Sequence, residues 1–172
     1  LFQKSQDKIV NKLYYKKMNS LLVINFFFFR LLRANYKKML NNEIKIRVRY
    51  AETDQMGYVY YGNYAQYFEV GRVEWLRGLG ITYKSLEESG IMLPVIRMNI
   101  NYFKPAKYDD LLTIRTILTR IPGVKIDFQF EVLNEKNELL TTAEVVLVFI
   151  DMVRNKPTKA PEFLLQKIRQ LL

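Results

Sequence analysis

The chain has 172 residues and a net charge of +10, with 27 Lys and Arg against 17 Asp and Glu and neither histidine nor cysteine. Those absences exclude Ser-His-Asp and Cys-His nucleophile systems, thiolate intermediates and zinc sites built from imidazole and sulfur, and the length suits one domain. The charge is local: residues 1–40 carry a net +8 and the remainder +2, so the body lacks the basic face of a nucleic-acid groove and no nucleic-acid partner is expected.

Residues 1–38 read as a basic, low-complexity leader with four phenylalanines in a row, Phe26 to Phe29. Its apolar run, Leu21 to Phe29, is broken by Asn25 and falls well short of the roughly 20 residues that span a bilayer. Arg30-Leu31-Leu32-Arg33 offers no small-residue cleavage site. Stable membrane insertion is therefore not expected; a basic amphipathic surface anchor is the alternative. Met39 directly precedes the regular pattern, so the leader is expected to be upstream sequence outside the native protein, and residues 39–172 the domain.

Ile44 to Tyr50 alternates apolar with basic positions and predicts a half-buried strand. Glu52 to Gly62 is a loop carrying Asp54 and two glycines. From Asn63, a plausible N-cap, the positions Tyr64, Tyr67, Phe68, Gly71 and Trp75 make a helix stripe that stops at Gly78 and Gly80. Gly71 in that stripe lets another backbone come close. A short helix over Thr82 to Glu88, capped by Thr82 or Ser85, ends at Gly90. Strands follow at Val95 to Phe103, Leu111 to Ile121, Val124 to Val132 and Leu139 to Ile150, with turns at Pro122-Gly123 and Asn134 to Glu138. Glu162 to Leu172 closes the chain as an amphipathic helix. Strands joined by tight turns are antiparallel, and one long apolar helix must lie across them. The open sheet edge then invites a second copy, as a homodimer or homotetramer.

Chemistry concentrates before the long helix. Asp54 is the acid beside the loop-to-helix junction, where backbone N–H groups can hold an anionic intermediate. The run Arg49-Tyr50-Ala51-Glu52-Thr53-Asp54-Gln55-Met56-Gly57-Tyr58-Val59-Tyr60-Tyr61-Gly62-Asn63-Tyr64, followed by Phe68-Glu69-Val70-Gly71-Arg72, resembles the hotdog-fold acyl-CoA thioesterases of the 4-hydroxybenzoyl-CoA thioesterase type. A second motif, Asn101 to Asp110, carries the resemblance over roughly residues 43–165. The resemblance implies an α+β hotdog fold, an antiparallel sheet wrapped around one long central helix. It also implies a cytoplasmic thioester hydrolase that uses no metal or cofactor and acts on acyl-CoA or acyl carrier protein. Asp54 matches the catalytic aspartate, and the backbone N–H of Tyr61 matches the donor that polarises the thioester carbonyl; many members have histidine at the position of Tyr61.

The physics suits those types. Thioester hydrolysis places negative charge on the carbonyl oxygen, which amides at a helix start stabilise. Asp54 either deprotonates a water or attacks the carbonyl to give an anhydride. Tyr60, Gly62, Asn63 and Glu69 are expected at the substrate. Each has a structural reading too: Asp54 as a turn-former bonding its own backbone, Asn63 as a cap, Glu69 as a buried hydrogen-bond partner, and Tyr60, Tyr64, Tyr67 and Phe68 as core. Arg97, Lys104, Arg154 and Lys156 either meet the coenzyme A phosphates or are solvated. A dehydratase or hydratase of this fold would pair its acid with a histidine; a non-catalytic acyl-thioester-binding or scaffold module is the other alternative.

Overall fold

Alternation along each strand decides which side of the sheet the core occupies. The computed structural model describes residues 40–172, and the expectations for the leader lie outside them. Among the described residues there are eight strands: β1 (Asn41–Arg47), β2 (Ile91–Met92), β3 (Val95–Tyr102), β4 (Leu111–Leu118), β5 (Lys125–Leu133), β6 (Leu139–Val148), β7 (Ile150–Asp151) and β8 (Lys156–Pro157). The helices are α1 (Asn63–Gly78), α2 (Tyr83–Glu88) and α3 (Glu162–Arg169), with a 3-10 turn at Tyr50–Glu52. Five strands make one antiparallel sheet in the order β1-β4-β5-β6-β3, and β2-β7-β8 make a small second one. In β5 the side chains Ile126, Phe128, Phe130 and Val132 are buried while Lys125 and Gln129 face water, the pattern of a sheet covered on one face.

The cover is α1. Its stripe of Tyr64, Tyr67, Phe68, Gly71 and Trp75 is buried as expected. Phe68 lies against Phe130 with ring centroids 4.9 Å apart, and Trp75 meets Phe128 edge-on at 5.3 Å. Buried indole needs a partner for its N–H, and Trp75 Nε1 donates to the Leu40 carbonyl at 3.1 Å. Gly71 is where helix and sheet come closest. A Cβ there would stand 2.6 Å from Thr116 Oγ1 and 3.2 Å from both Ile114 Cγ2 and Phe130 Cε1. The close neighbours are side chains of β4 and β5, not another backbone. The expected architecture, an antiparallel sheet wrapped around one long helix, is thus the one observed.

Several boundaries differ from the expectation, each for a tertiary reason. β1 begins at Asn41 and stops at Arg47, because it follows β4 in register from Asn41↔Ile117 to Arg47↔Leu111. Tyr50 is 79% exposed, not on the apolar face, since the chain coils there into the 3-10 turn. Asn63 is not the N-cap; Gly62 holds that position and Asn63 is the first helical residue. Val124 precedes β5 and is exposed. The last long strand divides at Phe149, whose N–H leaves for the Val124 carbonyl at 3.0 Å, so Ile150 and Asp151 join the small sheet instead. Thr82 does cap α2: its Oγ1 accepts from Ser85 N–H while Ser85 Oγ accepts from Thr82 N–H, a capping box.

The seam at Gly71 gives a direct test. Gly71→Ala forces α1 off the sheet and should lower unfolding stability by about 1–3 kcal/mol, as overpacked core substitutions do, read from the urea midpoint. Adding Thr116→Ala removes the nearest atom and should restore part of the loss; a double variant as unstable as the sum of the two single changes would show that the contact is not the cause.

Candidate active site

The segment between β1 and α1 is held at both ends. Val48 N–H donates to the Asp110 carbonyl at 3.0 Å, and Val59 N–H donates to the Ala106 carbonyl at 2.8 Å. Between them Thr53 and Val59 pair as an isolated bridge, Asp54 N–H donates to Tyr58 O at 2.8 Å, and Gly57 N–H donates to Asp54 O at 2.9 Å. This is a hairpin with Asp54 at its base. Gly57 closes it at φ +75°, a left-handed backbone that side chains other than glycine's resist. Asp54 Oδ1 accepts from Met56 N–H at 2.9 Å, so the turn-forming reading is correct. Asp54 also lines a cavity, and among the described residues nothing donates to its other carboxylate oxygen.

That cavity has a volume of about 380 Å³ and is walled by Asp54, Tyr58, Tyr61, Tyr64, Tyr102 and Phe103, with Lys104 at its margin. It brings Asp54 and Tyr61, two residues before the start of α1, onto one surface. Tyr61 itself is exposed, and its ring leans on Tyr60 at 4.4 Å. The Tyr61 carbonyl accepts from Tyr102 OH at 3.1 Å, and the Tyr60 carbonyl accepts from Asn63 N–H at 2.9 Å. Among the described residues neither Tyr61 N–H nor Gly62 N–H reaches an acceptor. Two unpaired amides at the positive end of a 16-residue helix are suited to a developing negative charge.

The remaining expected residues are arranged differently. Gly62 has an ordinary helical φ of −66°; it is small because the Tyr60 ring packs over it, with Cε1 2.7 Å from where a Cβ would sit. Tyr60 is exposed and does not line the cavity. Asn63 turns its Nδ2 to the Glu52 carbonyl at 2.7 Å, tying the loop to the helix. Glu69 is exposed, pairs with Arg72 at 3.3 Å and does not line the cavity. Of the four cations considered for phosphates, Lys104 alone lines it, and it pairs with Glu138 at 2.8 Å. Tyr67 and Phe68 belong to the core.

One residue was not singled out from the sequence. Glu52, 5% exposed, takes the Arg49 backbone N–H at 2.7 Å and Tyr67 OH at 2.9 Å on Oε2, and the Arg49 guanidinium at 2.6 and 2.9 Å on Oε1. Burial pushes its carboxyl upward, but the hydrogen bonds from Arg49 and Tyr67 outweigh that, and its pKa lies below the ordinary glutamate value. A local signal was present for one partner only: Arg49 stands three residues before it. The phenols go the other way. Burial raises Tyr64, Tyr67 and Tyr102, with the Glu52 charge adding to the shift at Tyr67, so these hydroxyls remain neutral donors at neutral pH. Asp54 is the carboxylate on the cavity. Among the described residues no three potential ligand side chains converge as a metal site, and no helix is long and apolar enough to cross a membrane.

Comparisons with known proteins agree with the fold and identify the family. The family model of the thioesterase-like superfamily matches residues 48–168. YneP of Bacillus subtilis (strain 168) is 37% identical over 113 residues, which cover 66% of this chain and 82% of that protein. Acyl-CoA thioester hydrolase YbgC of Escherichia coli O6:H1 is 33% identical over 125 residues, covering 73% and 93%. The solved structure of DHNA-CoA thioesterase from Staphylococcus aureus superposes with a TM-score of 0.70 at 34% identity, over 76% of this chain and 92% of that one. With the match running from the end of β1 to α3, this chain belongs to the thioesterase-like superfamily.

Proposed function

We propose that the protein is an acyl-CoA thioesterase that cleaves its substrate at the cavity shared by Asp54 and the start of α1. One observation carries the reading: Asp54, with one carboxylate oxygen that nothing donates to among the described residues, and Tyr61, whose N–H is unpaired there and is followed by the equally unpaired Gly62 N–H, line one 380 Å³ hollow. The amides of Tyr61 and Gly62 hold the thioester oxygen as charge develops on it, a contribution typically worth about a hundredfold or more per donor. Asp54 supplies the base for water or attacks the carbonyl itself. A thiolate departs without a strong general acid, so a chain lacking histidine can complete the reaction. The aromatic walls bury the acyl group, and Lys104 at the margin is the cation placed for the coenzyme A end or for the phosphopantetheine of a carrier protein.

The same reading includes a homodimer, or a tetramer of two such pairs. β3 is an edge strand whose outer side pairs with nothing among the described residues, and it leaves Val95, Ile96 and Tyr102 exposed. An unpaired apolar edge is a template for a second copy.

Two measurements follow. Thiol release from a panel of acyl-CoAs should be rapid with the wild-type chain and fall roughly a hundredfold or more in Asp54→Asn, the range for removing a general base; tight binding of acyl-CoA without release by the wild type would favour the binding-module alternative. Light scattering after gel filtration should give at least twice the chain mass, and Ile96→Lys, an exposed edge position, should shift it to the single-chain mass. A wild-type monomer would remove the dimer.

A further inference from the structure

Glu52 is bonded to more of the site than any residue that lines it. Its carboxylate is satisfied on both oxygens by Arg49 and Tyr67. Its main-chain carbonyl accepts Tyr60 N–H at 2.9 Å and Asn63 Nδ2 at 2.7 Å. Two residues further on is Asp54. One amino acid therefore fastens together the hairpin that carries the acid, the peptide that precedes Tyr61, the first residue of α1 and, through Tyr67, the helix one turn deeper.

A buried, bonded carboxylate is not by itself a strong source of stability, because desolvation offsets most of the attraction it gains. What it supplies is direction. The Tyr67 ring is 2% exposed and wedged in the core, so its hydroxyl is a fixed point that moves only if α1 moves. The Asp54 hairpin, in contrast, reaches the core only at Val59, and its tip residues Gln55, Met56 and Gly57 are exposed. Without the Glu52 carboxylate the hairpin would keep its own turn, the 106–107 segment and main-chain bonds at Tyr50 and Glu52, but would lose its side-chain tie to the buried part of α1. Catalysis of this kind requires the carboxylate and the amides to keep one spacing to within a fraction of an ångström.

We propose that Glu52 is the positioning residue of this site and that the Tyr67 hydroxyl is the contact through which α1 sets the distance between the Asp54 carboxylate and the Tyr61 and Gly62 amides. The assignment rests on the thioesterase reading above. Neither Glu52 nor Tyr67 touches the cavity, so their effect on turnover passes through Asp54 and the amides and not through substrate contact.

The experiment uses the full chain, with Glu52→Gln, Tyr67→Phe and the double variant assayed on whichever acyl-CoA the wild type hydrolyses fastest, alongside the thermal midpoint of each. Tyr67→Phe deletes one hydroxyl and keeps the ring in the core, so it folds even where Glu52→Gln does not. The expected result is a kcat between roughly tenfold and a hundredfold lower in each single variant, the cost of small misplacement. KM should stay within about twofold, and the double variant should be no slower than Glu52→Gln alone, since both substitutions release the same attachment. Folded variants with wild-type kcat, or losses carried by KM, would assign Glu52 and Tyr67 to the fold only and overturn the proposal. A wild-type chain that releases thiol from no acyl-CoA would instead overturn the thioesterase reading, and this assignment with it; the wild-type control separates that result from the first.

Discussion

A carboxylate taken out of water must find donors for both oxygens, and the way Glu52 meets that requirement organises the segment between β1 and α1. Arg49 and Tyr67 reach it from opposite sides, one along the loop and one from the helix. Satisfying the charge coils Tyr50–Glu52 into a 3-10 turn, which turns Tyr50 outward and delivers Thr53 to its bridge with Val59. From that bridge the Asp54 hairpin follows almost without choice, because Gly57 supplies the left-handed residue its closure needs. Local chemistry at one buried side chain thus sets the course of some ten residues of otherwise irregular backbone.

The electrostatics of the site are sorted by the same arrangement. Glu52 is committed to Arg49 and Tyr67, and Glu69 to Arg72 on the exposed side of α1. Burial raises the pKa of Tyr64 and Tyr102, two of the tyrosines that wall the cavity. Asp54 lines the hollow together with Tyr61, whose N–H reaches no acceptor among the described residues. Two carboxylates two residues apart in sequence therefore have different surroundings, Glu52 buried and fully bonded and Asp54 on the cavity with one oxygen bonded to its own turn.

Much of this was legible in the chain and some was not, for identifiable reasons. The alternation in β5, the α1 stripe and the Thr82 cap are local patterns that tertiary packing reinforced, and the motif around Asp54 placed that residue beside the helix start where the structure has it. The limits of β1 were not readable, because Asn41 to Glu43 are polar and become strand only by following β4. β2, β7 and β8 are two residues each, too short for any period to appear. Asn63 has the composition of a cap but an acceptor eleven residues back claims its amide. Glu52 was missed for the same reason: its partner on α1 is fifteen residues away, and spacing along the sequence says nothing about a contact across a loop.

The fit beneath Gly71 has a consequence for what the cavity can admit. Thr116, Ile114 and Phe130 fill the space under the helix backbone, and Phe68 and Trp75 close it on either side. Among the described residues the space directly beneath Gly71 is therefore filled, and Tyr64, 2% exposed, lines the hollow together with the exposed Tyr102 and Phe103. Those exposed wall side chains are the ones that can be exchanged one at a time without disturbing the interior, and with them what the hollow admits.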